Sequence, residues 1–234
     1  MNVALILAGG TGSRVGASRP KQFIEVFDKP VLAYTIEIYQ NHHDIDAIEV
    51  VCHPDWLDYL KDMIRMYSLS KVKWIANGGD TFQDSVINGM NNLQGQIQED
   101  DIVMIHYGAS PFTNEKTITD GIKVCKEHDM SASCIPCFQL IGSNDEKQTS
   151  KTWIDRDKLI QVTCPQSFKY YYLLDIYKRA EEQNLLKVIE PHTTSLMYAL
   201  GDTIYQSYGD QTNIKITTKE DLDLFKGYIL VRNS

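Results

Sequence analysis

The sequence predicts an α/β fold of the Rossmann-like kind: a mostly parallel sheet flanked by helices on both faces. Three observations carry that expectation. Short apolar runs alternate with amphipathic stretches of helical length, the pattern of parallel strands joined by crossover helices. The first run, Val3 to Leu7, is apolar without interruption, as a strand covered on both faces must be. It opens directly into a glycine-dense loop, Ala8-Gly9-Gly10-Thr11-Gly12-Ser13-Arg14, at the carboxyl end of the strand, where open α/β sheets hold ligands.

The remaining elements follow in order. Residues 30–40 place Val31, Tyr34, Thr35 and Ile38 at helical spacing. Residues 45–52 read as a strand, and 56–67 as an amphipathic helix with Leu57, Leu60, Ile64 and Tyr67 on one side. A strand at 72–76, the loop Asn77-Gly78-Gly79-Asp80 and a helix at 82–93 come next. A fourth strand, 101–105, ends in His106-Tyr107-Gly108-Ala109-Ser110-Pro111-Phe112, and Thr113 is the expected N-cap of a helix over 115–128. Residues 131–137 give another strand. There the alternation breaks. Gly142-Ser143-Asn144-Asp145 reads as a turn between two extended segments, which predicts a β-hairpin arm over about 138–163. Its Phe138, Leu140, Ile141, Trp153 and Ile154 would leave apolar surface and strand edges open, so the arm is expected to pack on a second subunit. Helices at 168–182 and 193–200 and strands at 203–207 and 213–216 follow. A last helix begins at Thr217-Thr218 with the capping pattern Thr218-x-x-Asp221. No repeat or linker divides the chain, and 1–234 is expected to be one domain.

Composition narrows the function. An apolar share of 43% and a charged share of 23% are those of an ordinary globular protein. A net charge of −8 argues against nucleic-acid binding, which needs a basic face, but not against a phosphorylated substrate held by local cations. No apolar run reaches the roughly 20 residues that span a bilayer, and no secretory pattern opens the chain, so a cytoplasmic location is expected. The five cysteines lack framework spacing. Cys134-Ile-Pro-Cys137 has no second ligand pair for zinc and falls on a strand rather than a helix N-terminus, so the thiols are expected to be buried core groups. His42, His43 and His53 read as solvated loop positions and His106 as a hydrogen-bonded structural histidine rather than a base. His192 is balanced between pocket wall and surface. Tyr170-Tyr171-Tyr172 reads as helix packing at a dimer contact, and Glu220, Asp221 and Asp223 as a solvated helix face.

The glycine loop is where chemistry is expected. Glycines let main chain approach a ligand and leave successive N–H groups facing an anion, and Arg14 and Lys21 add the full charges that a triphosphate requires. A Walker A loop is excluded, because no lysine follows a glycine at the required offset. A dinucleotide fingerprint is excluded too, since Val15 stands where its third glycine belongs. What remains, a strand, Ala-Gly-Gly-x-Gly-x-Arg and then Pro20-Lys21, resembles the signature of nucleotidyltransferases.

The likeness runs end to end. Leu7 to Phe23, Gly78-Gly79-Asp80 with Asp84-Ser85-Val86, the His106 to Phe112 loop, Asp155-Arg156, Pro165-Gln166-Ser167-Phe168 and Asn213-Ile214-Lys215-Ile216-Thr217 together resemble the 2-C-methyl-D-erythritol 4-phosphate and ribitol 5-phosphate cytidylyltransferases. The resemblance implies an enzyme that joins CMP from CTP to a polyol phosphate and releases pyrophosphate, with Mg²⁺ as cofactor and a homodimer as the working unit. It implies catalytic roles for Arg14, Lys21 and Lys215. Nucleotide binding would fall to Leu7, Ala8, Gly9, Gly10, Thr11, Gly12, Gly79, Asp80 and Ser85, and Arg156 on the arm would reach the acceptor phosphate in the neighbouring subunit.

The departures from the family pattern cluster. A loop that commonly reads His-Asp-x-x-Arg-Pro is here His106-Tyr107-Gly108-Ala109-Ser110-Pro111. An Asp-Thr pair on the arm falls at Gln139-Leu140, the threonine of a Thr-Pro-Gln motif is Cys164 with Thr163 beside it, and an arginine of the cytosine loop is Phe82. The Thr-Asp stretch before the short helix aligns with Glu190-Pro191-His192-Thr193. Most of these changes fall in the acceptor half. The expected acceptor set is therefore Tyr107, Ser110, Arg156, Thr163, Glu190 and His192, with ribitol 5-phosphate, for cell-wall or capsule polymers, as the leading acceptor. Methylerythritol phosphate, of isoprenoid synthesis, and a degraded CTP-binding dimer are the alternatives.

Overall fold

A computed structural model describes residues 1–10, 19–145 and 147–232. Along the chain run β1 (Asn2–Ala8), β2 (Glu25–Val26), β3 (Lys29–Pro30), α1 (Val31–Asn41), β4 (Ala47–Cys52), α2 (Leu57–Met66), β5 (Val72–Asn77), α3 (Phe82–Leu93) and β6 (Ile102–Tyr107). There follow α4 (Glu115–His128), β7 (Met130–Pro136), β8 (Ile141–Gly142), β9 (Trp153–Ile154), β10 (Ile160–Lys169), α5 (Tyr170–Glu182), α6 (Thr193–Leu200), β11 (Gln206–Tyr208) and α7 (Lys219–Arg232). Seven strands form one sheet in the order β11-β7-β10-β6-β1-β4-β5. β1 pairs in parallel with both β4 and β6, while β10 runs antiparallel to β6 and β7.

Alternation along β1 builds the two cores. Val3 and Leu5 face Val86 and Met90 of α3 and Leu173 and Ile176 of α5, whereas Ala4 and Ile6 face Leu32 and Ile36 of α1, Leu60 of α2 and Ile118 of α4. Each such side chain, fully buried, contributes about 1.5–3 kcal/mol. From β1 the chain moves outward through β4 and β5, then returns to place β6 on the other side of β1. Loops therefore diverge at the carboxyl ends of β1 and β6, a topological switch point that leaves a crevice.

Several expectations are corrected. The run 160–169 is a ten-residue strand, so α5 starts at Tyr170 rather than 168. Pro165 disguised this strand. It sits where the register against β7 shifts, between Val162 and Gln166, so its missing N–H costs no ladder bond. Residues 213–216 are not a strand, because their amides turn inward: Asn213 N donates to Asp210 O at 3.0 Å and Ile216 N to Ala109 O at 2.8 Å. Asn114, not Thr113, caps α4, its side chain accepting from Thr117 N at 3.0 Å. The capping pattern at Thr218 holds, with Asp221 Oδ2 accepting from the amides of Thr217 and Thr218 at 2.7 and 2.9 Å. His42 is buried against α4, its Nε2 3.1 Å from Thr119 Oγ1, and burial lowers its pKa. Tyr170 packs in the chain's own core, its hydroxyl donating to Met90 O at 2.8 Å, rather than at a subunit contact.

Within the stretch expected as an arm, Ile141–Gly142 and Trp153–Ile154 pair as the short β8–β9 ladder, with Leu140 80% and Trp153 69% exposed, while residues 160–163 belong to β10 of the main sheet. All five cysteines are free and buried, as expected. No helix among the described residues is long and apolar enough to cross a membrane.

Candidate active site

Main-chain hydrogen bonds continue past the strand ends and lace three loops together. His53 N donates to Ala8 O at 3.4 Å, Gly78 N to Cys52 O at 2.7 Å and Gly108 N to Leu7 O at 2.8 Å. Two glycines permit this closeness. A Cβ on Gly78 would lie 2.9 Å from Gly9 Cα, and one on Gly79 would lie 2.3 Å from Asp84 Cβ. The loops after β1, β5 and β6 thus gather on one edge, as the alternation of elements predicts. The loop after β5 is fixed further by a capping box at α3, where Thr81 accepts from Asp84 N at 3.0 Å and Asp84 Oδ2 from Thr81 N at 3.1 Å.

Between these loops lies a cavity of about 490 Å³, within the range of small-molecule sites. Of the expected nucleotide residues, Leu7, Gly9, Gly10, Gly79, Asp80 and Ser85 line it. Ala8 is buried beneath, its carbonyl accepting from Gln22 Nε2 at 2.8 Å. Ser85 Oγ accepts from Gly79 N at 3.1 Å and donates to Thr81 O at 3.0 Å, so it shapes the loop it belongs to. Thr11, Gly12 and Arg14 lie outside the described residues.

Lys21 and Lys215 both line the cavity and are linked. Lys21 stands on a short turn, Lys21–Phe23, anchored where Phe23 stacks on Trp56 at 4.8 Å between centroids. Its Nζ donates to the carbonyl of Ile216, next to Lys215, at 2.5 Å. Lys215 Nζ in turn sits 4.1 Å from the centre of the Tyr107 ring, at cation–π distance. Lys215 also lines a second cavity, of about 390 Å³, with Thr163, Gln161 and Phe138, and Arg156 Nη1 donates to Phe138 O at its edge at 2.7 Å.

Comparison with known proteins gives the family of the chain. The model of the 2-C-methyl-D-erythritol 4-phosphate cytidylyltransferase family matches residues 2–231. The chain belongs to that family. It is 39% identical over 229 residues to a ribitol-5-phosphate cytidylyltransferase of Lacticaseibacillus paracasei, covering 98% of each chain. It is 35% identical over 237 residues to a 2-C-methyl-D-erythritol 4-phosphate cytidylyltransferase of Clostridium tetani, covering 100% of this chain and 94% of that one. Among solved structures, 4-diphosphocytidyl-2C-methyl-D-erythritol synthase of Anaerococcus prevotii superposes with a TM-score of 0.82 at 22% identity over 98% of both chains, which supports the fold.

Three of the residues read from the sequence as departures from the family pattern meet in space. Phe82, Tyr107 and His192 form a three-ring wall, with centroids 5.0 Å apart for Phe82–His192 and 5.8 Å for each of the other two pairs. Burial holds the Tyr107 phenol well above its ordinary range, so it stays protonated. Burial also acts to raise the Glu190 pKa, but hydrogen bonds from Ser195 and His192 outweigh it and the carboxyl falls below its usual value. Glu190 and the His192 ring are paired through Oε1 and Nδ1. Of the expected acceptor residues, Tyr107 lines the main cavity and Thr163 the second, whereas Arg156, Glu190 and His192 line neither, and Ser110 is fully buried.

Gln22, His53, Thr81 and Thr217 also line the main cavity and were not expected there. His53 follows β4 without a break, and that position at a strand's carboxyl end is a signal the sequence offered. Gln22 adjoins Lys21 in the Pro-Lys motif, and its amide bridges the carbonyls of Ala8 and Gly10 at 2.8 and 2.7 Å.

Proposed function

We propose that this cytidylyltransferase transfers CMP from CTP to ribitol 5-phosphate or a closely related polyol phosphate, releasing pyrophosphate and a CDP-alcohol. The observation that carries the reading is the three-ring wall beside Lys215. A linear polyol phosphate offers C–H bonds, hydroxyls and a single charged end. The rings of Phe82 and Tyr107 on the cavity wall, backed by His192, suit its carbon face, and Lys215 suits its phosphate, while Glu190, bonded to His192 and Ser195, holds the His192 ring in place. The 39% identity to the Lacticaseibacillus paracasei protein supports the same acceptor.

In this reading an oxygen of the acceptor phosphate attacks the α-phosphorus of CTP in line. The new P–O bond forms as the bond to the β-phosphate bridging oxygen breaks, and that electron pair leaves with pyrophosphate. Because the attacking and attacked groups are both anions, catalysis consists of holding them together and neutralising charge, and no protein nucleophile is required. Lys21 serves the leaving side, Lys215 stands where both cavities meet, and Arg14 is assigned to the loop between. Gly79, Asp80 and Ser85 are assigned to the cytosine edge, Thr163 to the acceptor phosphate at the second cavity, and Arg156 to the acceptor phosphate in the neighbouring subunit.

Mg²⁺ is the proposed cofactor. The described lining of the main cavity supplies one carboxylate, Asp80, a donor set that suits an ion carried in on phosphate oxygens with its own waters rather than one caged by protein. Such an ion lowers the charge of the triphosphate. Phe138, Leu140, Trp153 and Ile154 are exposed on the arm, which supports a homodimer formed through it, and the proposed location is cytoplasmic.

A second acceptor, 2-C-methyl-D-erythritol 4-phosphate, is favoured by the family model and by the Clostridium tetani relative. Pyrophosphate release from CTP with Mg²⁺ and a panel of polyol phosphates decides between them. The highest kcat/KM is expected with ribitol 5-phosphate. A preference for methylerythritol phosphate overturns the acceptor assignment, and silence across the panel despite CTP binding leaves a binding-only dimer.

A further inference from the structure

A buried chain of hydrogen bonds runs behind the catalytic face, and we infer that His106, Thr113 and Asn213 act as a positioning relay that fixes Lys215 against Tyr107. The inference rests on the role proposed above for Lys215. All three side chains are buried, none more than 6% exposed. His106 Nε2 lies 2.6 Å from Thr113 Oγ1, which lies 3.0 Å from Asn213 Oδ1, and Asn213 Nδ2 lies 2.6 Å from Cys164 O.

The direction of every bond follows from the far end. A carbonyl only accepts, so the Asn213 amide donates to Cys164 and turns its oxygen to Thr113. The single Thr113 proton must then go to Asn213, which leaves the threonine oxygen to accept from His106. His106 must therefore be the Nε2–H tautomer. Burial, which drives the His106 pKa down to about 3, keeps the ring neutral across the working range and so keeps this direction.

The relay joins two residues that carry the site. Tyr107 follows His106 directly, and Lys215 lies two positions after Asn213. Between 213 and 216 no sheet ladder holds the chain; the amides of Asn213 and Ile216 bond to Asp210 O and Ala109 O, and the Asn213 side chain adds the ties to Thr113 and Cys164 that run across to β6 and β10. Misplacing a charged group by about 1 Å is enough to cost up to a hundredfold in rate. Thr113 touches neither cavity, so its effect must pass through the groups it positions.

The test combines an isosteric pair with a spectroscopic reading. Thr113→Val is expected to lower kcat about 10–100-fold with the CTP KM within about threefold, and Thr113→Ser to recover most of that loss. In a Lys215→Ala background Thr113→Val should add little, because its route to the chemistry is gone. Additive losses, or no rescue by serine, overturn the relay. Normal turnover in Lys215→Ala alone would instead sink the catalytic reading of that lysine. If Thr113→Val does not fold, ¹⁵N shifts of the wild-type His106 ring decide. A neutral Nε2–H tautomer from pH 5 to 8 supports the relay, and an Nδ1–H or doubly protonated ring refutes it.

Discussion

In one region of the cleft Gly9, Gly78 and Gly79 press main chain against main chain, whereas in another Phe82, Tyr107 and His192 meet ring to ring. The first surface is made of amides and of glycines that no other residue can replace without moving a loop. The second is made of side chains, each of which can change without disturbing a strand. A binding face built from backbone keeps its ligand while the sequence drifts, and a face built from side chains is where a new acceptor can be accommodated. Lys21 and Lys215 both line the cleft, Lys21 bonded to the main chain one residue past Lys215 and Lys215 set on the Tyr107 ring.

The largest effect is expected where both sides depend on one charge. Lys21→Ala removes neutralisation of the leaving phosphate, worth about 3–5 kcal/mol by analogy with other charge clamps, and should slow turnover roughly a thousandfold at saturating substrates. Near-normal turnover in that variant would remove the leaving-group role.

The sheet that carries the glycine loops also holds a buried carboxyl. Glu49 of β4 is fully buried, with Oε1 accepting from Asn92 Nδ2 at 2.7 Å, and burial raises its pKa to about 8. In the unfolded chain the same carboxyl ionises near 4.5. Between those values the folded protein holds a proton that the unfolded chain has lost. Stability therefore falls as pH rises from about 5 to 8 and levels off above. Glu49→Gln keeps the bond from Asn92 and cannot ionise, so its advantage should grow over that window to about 2–4 kcal/mol at pH 8. Melting curves at pH 5 and pH 8 measure it, and an equal offset at both would show that ionisation is not the cause.

How much of this was legible in the sequence divides along the same line. Apolar runs such as Val3–Leu5 and Val50–Cys52 need cover on both faces, so the parallel half of the sheet could be read from them, and with it the edge where the glycine loops gather. Pro165 hid β10, because a proline inside a central strand is normally excluded and only the register shift beside it allows one. Residues 213–216 alternate like a strand but spend their amides on a loop and their side chains on the relay. The turn Phe27-Asp28, with φ of 51° and 60°, joins β2 to β3 without the glycine or asparagine that announces such turns. The substituted positions 82, 107 and 192 were visible one at a time. That they form a single wall depends on a contact between chain segments more than 80 residues apart, which no local pattern encodes.

Two smaller effects separate the faces. Gly79→Ala places a Cβ 2.3 Å from Asp84 Cβ and 2.9 Å from its carbonyl carbon, so the loop after β5 must shift. The cost of such overpacking, about 2 kcal/mol, should weaken CTP binding roughly 30-fold by calorimetry, while polyol phosphate KM changes little.

Tyr107→Leu should do the reverse and on a smaller scale. The variant keeps apolar volume at the wall and removes the ring face beneath Lys215, an interaction worth about 0.5–2 kcal/mol. Lys215 then loses its seat but not its charge, so turnover at saturation should fall less than in Lys21→Ala. The acceptor KM should rise about fivefold to tenfold and the CTP KM stay within about twofold. The contrast lies in which constant moves. Tyr107 also lines the main cavity, so a wall that served the nucleotide would shift the CTP KM at least as far as that of the acceptor. In that event the rings belong to the glycine side and the division into a backbone face and a side-chain face fails.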